Sequence, residues 1–349
     1  MLVKDALWTP GDHGIAPPPC AALGDAAATP DLCDTPDWFQ LVAKHLVPPV
    51  TAITLTDDRA AHGAMLCLAR AGPRRMMGLT NWYSPCFRPV FSGDCAMDAR
   101  IAAISRFGQY LTSMTHKIDF TLIPESDGSR HILEAGLRQA GWRVTATPHK
   151  GHWFSHFDTP DFDRFWAARP GALRHTHDRK SAKYPLDCAV YAAFSDTLWA
   201  EYAAVYAASW KPAEGDPAFL RDVARYASDI GAFRLGIARH DSVAMATQFW
   251  TVHQGKAQIH KLAHRQSAAA FSAGTQLSAA MFRHVLDEDR ATFISFGPGD
   301  ERYKQDWMDQ REQLWALTCW HPRFLYGRAG HMAHLARTRL AALRQRIGR

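Results

Sequence analysis

A chain of 349 residues has room for two ordinary domains, and its make-up, 47% apolar with 12 Trp and 18 Phe against 21% charged residues, excludes a disordered or fibrous protein. The formal net charge of +6 does not describe a nucleic-acid-binding body: the seven Arg beyond Glu312 have no acidic residue among them, and without their charges the rest carries −1. Seven scattered cysteines without a C-x-x-C pair signal neither a disulfide framework nor a zinc ribbon. With no apolar leader or spanning run, they point to reduced thiols in the cytoplasm.

Residues 1–37, rich in Pro, Ala, Gly and Asp, read as an irregular arm. Thr35 as N-cap and Pro36 at the first helical position open a helix with Trp38, Phe39, Leu41, Val42 and Leu46 on its apolar face. Strand signals follow at Val50–Leu55, Met65–Ala69 and Met76–Leu79, then a helix from Met97 to His116. A strand Phe120–Ile123, a helix Ser129–Ala140, and strands Trp142–Ala146 and His152–Phe157 complete the first half. A basic connecting helix, Gly171–Lys183, carries a cluster from Arg169 to Lys183 suited to guiding phosphates or to lying in water.

The second half repeats the order. Strand Cys188–Phe194 and helices Thr197–Ala208 and Pro217–Ser228 lead to strands Phe233–Ala238, Val243–Val252 and Ala257–Lys261, with a hairpin signal at Gln254-Gly255. A helix Ser272–Leu286, a strand Thr292–Phe296, a short helix Glu301–Asp309 and a strand Leu314–Thr318 follow. The expected organisation is an arm over 1–37, domains over 38–160 and 188–322 joined by the basic helix over 161–187, and a tail helix over 323–349. Two copies of one α+β unit are expected, and such a meander, helix and parallel strand is the layout of the acetyltransferase fold that binds acyl-CoA.

Three segments carry candidate chemistry. Small residues up to Ser272-Ala273-Gly274-Thr275, ahead of a helix, let backbone N–H groups approach a pyrophosphate, or cap and pack that helix closely. Phe296-Gly-Pro-Gly299-Asp300 ends a strand and presents Asp300, Tyr303 and Lys304 a helical turn apart, suited to proton transfer or to turn and cap formation. Ser209-Trp210-Lys211-Pro-Ala-Glu214-Gly215 offers an aromatic wall for an acyl channel and a carboxylate base, or a helix-capping loop with Trp210 turned inward. The His149, His152, His156 group and the His175, His177 pair lack acidic or Cys companions at ligand spacing, so no metal is expected.

These residues resemble a known family. Asn81-Trp82-Tyr83-Ser84-Pro85, Gly136-Leu-Arg-Gln-Ala-Gly141-Trp142, Trp166-Ala-Ala-Arg169-Pro-Gly-Ala-Leu-Arg174, the Ser209–Gly215 loop and Phe296-Gly-Pro-Gly299-Asp300-Glu-Arg-Tyr303-Lys304-Gln-Asp-Trp307 are similar to the BioF2-like or FemAB-like, CelD-type "acetyltransferase 6" branch of the GNAT acyltransferases. The resemblance runs from about Thr51 to Trp320, and the usual pyrophosphate loop is reduced here to Ser272-Ala-Gly274-Thr275. It implies an α+β architecture of tandem GNAT-like (acyl-CoA N-acyltransferase) domains, each a mixed twisted sheet flanked by helices, and acyl transfer from a thioester, with acyl-CoA as donor substrate and no permanent cofactor, to an amine of envelope lipid or polysaccharide biosynthesis. Implied roles are Glu214, His264 or Asp300 as base, Tyr303 as acid with Lys304 beside it, Lys261 and Ser272 to Thr275 at the donor, and Trp82, Tyr83, Trp210, Lys211 and Trp307 along the substrate.

Met332, Leu335, Leu340, Leu343 and Ile347 at roughly helical spacing, with Arg on much of the remainder, predict a basic amphipathic tail helix. It suits an anionic membrane surface, each Arg contributing on the order of 1 kcal/mol there, or it packs on the core with its Arg in water. On the surface reading the protein is peripheral to the cytoplasmic membrane and its acceptor is lipidic, in the most specific form a sphingoid base, as in a bacterial ceramide synthase. The other classes are a FemX-type aminoacyl-tRNA-dependent transferase, which the body charge disfavours, and a non-catalytic membrane or polysaccharide scaffold.

Overall fold

The computed structural model describes residues 31–46 and 63–325, the backbone of 3–8 and 52–57, and isolated positions at 327, 330 and 332. Its elements in chain order are β1 (Val3–Trp8), α1 (Pro36–Lys44), β2 (Ala52–Asp57), β3 (Ala64–Gly72), β4 (Arg75–Gly78), β5 (Val90–Phe91), α2 (Met97–Leu111), β6 (Lys117–Ile123), α3 (Ser129–Gln139) and β7 (Arg143–His156). There follow α4 (Phe162–Ala167), α5 (Gly171–Lys183), β8 (Asp187–Tyr191), α6 (Asp196–Ala207), α7 (Pro217–Asp229), β9 (Phe233–His240), β10 (Val243–His253), β11 (Lys256–His264), α8 (Ala273–Arg283), β12 (Phe293–Pro298), α9 (Lys304–Trp307) and β13 (Gln310–Trp320). The chain forms two compact units, one of residues 1–28, 34–150 and 313–349, the other of 29–33 and 151–312.

In the first unit β1, β2, β3 and β4 pair antiparallel in that order, β4 pairs parallel with β6, and β6 pairs antiparallel with β13. α1 begins as its residues dictate, with Thr35 Oγ1 accepting the Trp38 N–H at 3.3 Å and Trp38, Phe39, Val42 and Ala43 buried. α2 and α3 approach closely because Gly136 has no side chain: a Cβ there would lie 2.7 Å from Ile104 Cβ. β4 and β6 stop pairing after Met77↔Asp119. The space beyond is filled by Phe87 and Phe120, each 1% exposed, with ring centroids 5.6 Å apart, and the Phe87 N–H is bound to Leu122 O at 3.0 Å.

The second unit repeats the pattern. β8, β9, β10 and β11 pair antiparallel, β11 pairs parallel with β12, and β12 pairs antiparallel with the 152–156 half of β7. The Gln254-Gly255 turn joins β10 to β11 with φ of +47° and +76° at its centre, the backbone that a two-residue hairpin demands. On one sheet face Leu277, Met281 and Phe282 of α8 pack on Ala246 and Trp250 of β10 and on Ala257 and Ile259 of β11. Burial at this level stabilises by about 1.5–3 kcal/mol per large apolar side chain.

Several expectations change. The arm over 1–37 contains β1, which begins the first sheet, and a short 3-10 turn at Leu32–Asp34. The expected strands Trp142–Ala146 and His152–Phe157 are one continuous strand, β7. Residues 151–160, expected in the first domain, belong to the second unit, and residues 313–320, expected in the second domain, belong to the first. The reason is pairing: β12 recruits the end of β7, and β6 recruits β13. The basic helix expected to join two domains over 161–187 lies inside the second unit, where its Gly171–Lys183 part, α5, has no buried residue. The tail helix, apart from a few positions, lies outside the described residues.

Candidate functional site

The site is built where the second sheet stops being a sheet. β11 and β12 are paired only at Lys256↔Phe293, Ala257↔Ile294 and Gln258↔Ser295, although β11 runs on to His264 and β12 to Pro298. Beyond that point the facing backbone edges have no strand partner in each other. The β10–β11 register also shifts, from Phe249↔Lys261 to Trp250↔Ile259, so His260 is the extra residue of a bulge. Its Nε2 lies 2.9 Å from Thr251 Oγ1 and its ring stacks on Phe249. Burial, with Lys261 adding repulsion, pushes the His260 pKa down to about 3, so the ring is neutral at working pH.

Ala257 and Ile259 face α8, so alternation turns Gln258 to the opposite face. Past the bulge, Lys261 lies opposite Phe249, which packs on Trp199 of α6. Lys261 Nζ meets Glu214 Oε1 at 2.9 Å, the two side chains only 12% and 11% exposed. Tyr206 lies beside this pair, and burial followed by the Glu214 charge pushes its phenol up to about 12. Burial and then the Lys261 charge push Lys211 down to about 8, while Glu214 and Glu301 pull the other way. Glu301 is ion-paired with Lys304 at 2.8 Å; burial raises its pKa, but the Lys304 hydrogen bond, a backbone hydrogen bond and the Lys304 and Lys211 charges together hold the carboxyl below its usual range. Three ammonium groups, Lys211, Lys261 and Lys304, thus share two carboxylates, a balance that favours an anionic ligand group.

The 208–216 loop that carries Lys211 and Glu214 is fixed at both ends. Ser209 Oγ donates to Tyr206 O at 2.7 Å and accepts the Lys211 N–H at 3.2 Å, while Asp216 caps α7 through the Phe219 N–H at 2.8 Å. Beneath the loop is a pocket of about 400 Å³ lined by Trp199, Tyr202, Tyr206, Leu220, Lys211 and Glu214 among others. Trp210, 52% exposed, lies against the His264 ring, centroids 4.2 Å apart. His264 Nδ1 lies 3.0 Å from Arg265 O. A carbonyl only accepts, so Nδ1 carries the proton and Nε2 presents a lone pair.

Just past the C-terminal end of β11, residues 266–271 form a 3-10 turn rather than an open loop, and Ser272 (φ +52°) precedes α8 without capping it through its side chain. Thr275 and Gln276 N–H both go to Ser272 O. Ala273 is buried and Gly274 stands 3.4 Å from His264 through its would-be Cβ, so Ser272 to Thr275 form a narrow, uncapped helix start next to His264. Lys180 of α5 donates to Ala270 O at 2.6 Å and so brings a cation to this turn.

Other expected residues have different work. Asp300 is held by Arg311 in a two-pronged ion pair (2.7 and 3.0 Å) and accepts the Gly151 N–H at 3.2 Å. Arg311 keeps its carboxyl below the usual range, which makes it a latch for β7 rather than a base. Lys304, 4% exposed, donates to Pro298 O at 2.9 Å and to Glu301, so it secures the Gly297-Pro298-Gly299 turn instead of acting on substrate. Trp307 is 5% exposed between Phe282 and Trp166, a core side chain and not a substrate wall. Tyr303, 40% exposed on the Phe296 ring, has its phenol pushed up by burial and then by Glu301, so it keeps its proton. Trp82 and Tyr83 belong to the first unit: Trp82 is 77% exposed beneath Lys150 Nζ, and Tyr83 is buried. Tyr206 and Gln258 carried no motif, and the bulge and the parted strands bring them in; Lys180 comes from the basic Arg169–Lys183 cluster visible in the sequence.

Among the described residues no group of three or more His, Cys, Asp or Glu could hold a metal, and no helix is long and apolar enough to cross a membrane. No curated protein sequence matches the chain. Residues 164–305 match the family model described as an acetyltransferase (GNAT) domain. Among solved structures, FemX is similar over 90% of this chain and 96% of its own, with TM-score 0.63 at 10% identity. L-PGS from Bacillus licheniformis is similar over 75% and 82%, with TM-score 0.52 at 14% identity. The C-terminal domain (DUF2156) of a putative lysylphosphatidylglycerol synthetase from Agrobacterium fabrum is similar over 73% and 80%, with TM-score 0.50 at 13% identity. At these identities the likenesses are of fold alone. With the family match over 164–305 and the same order of strand pairing in both units, the chain has an α+β fold of tandem GNAT-like units, the second carrying the part that matches the acetyltransferase domain.

Proposed function

We propose that the second unit is an N-acyltransferase that moves an acyl group from a thioester, with acyl-CoA as donor, to an amine. The observation that carries this reading is the parting of β11 and β12 after Gln258↔Ser295 beside the His260 bulge. A thioester lying in that gap runs along the backbone edges where β11 and β12 no longer pair with each other, the place where main-chain N–H groups can stabilise a tetrahedral oxyanion. The donor's phosphates lie at the start of α8, where Ala273, Gly274 and the nearby Lys180 leave room and supply positive charge. The amine enters through the pocket under the 208–216 loop, and Glu214, with His264 Nε2 as the second candidate, takes its proton.

A FemX-type reading, with an aminoacyl-tRNA as donor, is supported equally by the likeness in fold to FemX. N-acylation of a sphingoid base rests on the tail helix, and the described residues add nothing to it. Incubation of the full chain with a mixed acyl-CoA set and a lipid and amine extract, followed by mass spectrometry, separates the readings. New amides with stoichiometric CoA release support the proposal. Amides that form only from charged tRNA move the assignment to the second reading, and no amide from either donor refutes acyl transfer.

A further inference from the structure

Close to the same gap, three side chains distant in sequence form a connected line. His152 on β7 is 2% exposed; its Nδ1 lies 2.9 Å from Glu312 Oε1 on β13 and its Nε2 lies 2.8 Å from Ser295 Oγ on β12. In the neutral ring, the tautomer that donates from Nδ1 to the Glu312 carboxylate leaves Nε2 its lone pair to accept the Ser295 hydroxyl. Ser295 Oγ also accepts the Gly297 N–H at 3.1 Å, which leaves it one lone pair. These are the roles of nucleophile, base and orienting carboxylate, recognised by geometry rather than by order in the chain.

Position supports the reading. Ser295 is the last residue of β12 that pairs with β11, so its hydroxyl stands at the point where the strands part. Its neighbours Ile294 and Phe296 belong to the core under α8, so its side chain lies on the opposite face of the sheet. At 2% exposure it is shielded from bulk water.

We propose that Ser295, His152 and Glu312 form a nucleophilic triad and that the second unit carries its acyl group as an ester on Ser295. In the first step Ser295 Oγ bonds to the acyl carbon and the carbon–sulfur bond breaks; the serine proton passes to His152 Nε2 and then to the departing thiolate. In the second step an amine attacks the ester, its proton passes through His152 to Ser295 Oγ, and the amide leaves. The choice of a thioester donor rests on the function proposed above, whereas the activated serine does not.

The test uses the full chain with two probes that need no knowledge of the natural donor, a fluorophosphonate and p-nitrophenyl acetate, read by intact mass and peptide mapping. The expected result is one adduct, on Ser295, absent from S295A and formed about 10²-fold more slowly by H152Q and about tenfold more slowly by E312Q. A natively melting chain that takes no adduct, or labelling of Ser295 at an unchanged rate in H152Q, overturns the triad. An adduct on Ser295 in a chain that makes no amide from any donor keeps the triad and refutes the transferase. Amide synthesis without an adduct does the reverse.

Discussion

In the first unit β4 and β6 part after Met77 and Asp119, and the space is closed by Phe87 and Phe120 with a backbone hydrogen bond drawn across to Leu122. In the second unit β11 and β12 part at the matching place, after Gln258 and Ser295, and the neighbouring side chains are Lys261, Glu214, Ser295 and His152. The same topology therefore yields a solid wedge in one copy and a polar opening in the other. Sheet geometry makes the gap; the residues that follow the fourth strand decide whether it is core or site.

The contrast can be broken from either side. The largest effect expected is from Glu214→Gln, which removes the proposed base and leaves Lys261 without its partner. Amide formation should fall by about 10²–10⁴-fold with the fold intact, measured by CoA release beside circular dichroism; unchanged turnover removes Glu214 from the chemistry. Phe87→Ala opens the first unit's wedge and should cost about 3–5 kcal/mol in urea unfolding, with turnover per folded molecule unchanged. A specific loss of turnover would mean that the first unit takes part in the chemistry. Gly151→Ala puts a Cβ within 2.1 Å of Asp300 Oδ1. It should cost about 1–3 kcal/mol as an overpacked contact, and a neutral result would show that the Asp300–Arg311 latch yields easily.

A smaller effect is one of pH. Lys211 loses its proton as pH rises through about 8, so the excess positive charge of the cluster goes with it. KM for an anionic substrate should then rise several-fold across that range, and Lys211→Arg, whose guanidinium stays charged, should flatten the profile. The same shift has a sign for stability: between about 8 and the ordinary 10.5 the unfolded chain binds the proton that the folded chain does not, so stability rises with pH there. The smallest effect belongs to His260, neutral above about 3. His260→Gln should leave the pH profile where it was, and a displaced profile would mean that the bulge histidine titrates during turnover.

Much of this was legible in the sequence where local rules govern. Thr35 and Pro36 start α1, Pro217 starts α7, and Gln254-Gly255 closes its hairpin because caps and turns depend on a few adjacent residues. Glu214 and Lys211 were visible as loop chemistry and His264 as an alternative base implied by the resemblance, and the structure places His264 beside the 208–216 loop. β1 was not legible: Lys4 and Asp5 interrupt its apolar pattern, and an outermost strand needs little burial. β7 read as two strands because His149-Lys150-Gly151 resembles a turn, although Gly151 is small there to admit Asp300. Asp300 and Lys304 had the right residue types one helical turn apart, and the sequence gives no sign that Arg311 and Pro298 occupy them. Ser295, His152 and Glu312 stand more than a hundred positions apart in the pairs His152–Glu312 and His152–Ser295, so no window contains them.

The exchange of β7 and β13 makes the two halves of the sequence hostages of each other. A chain cut within α5 would give an N-terminal fragment that lacks the partner of β6 and a C-terminal fragment that lacks the partner of β12. Each would expose the raw edge of a sheet, an invitation to aggregate. Mixed together, the fragments would have a template for reassembly, and neither alone is expected to survive as a soluble module.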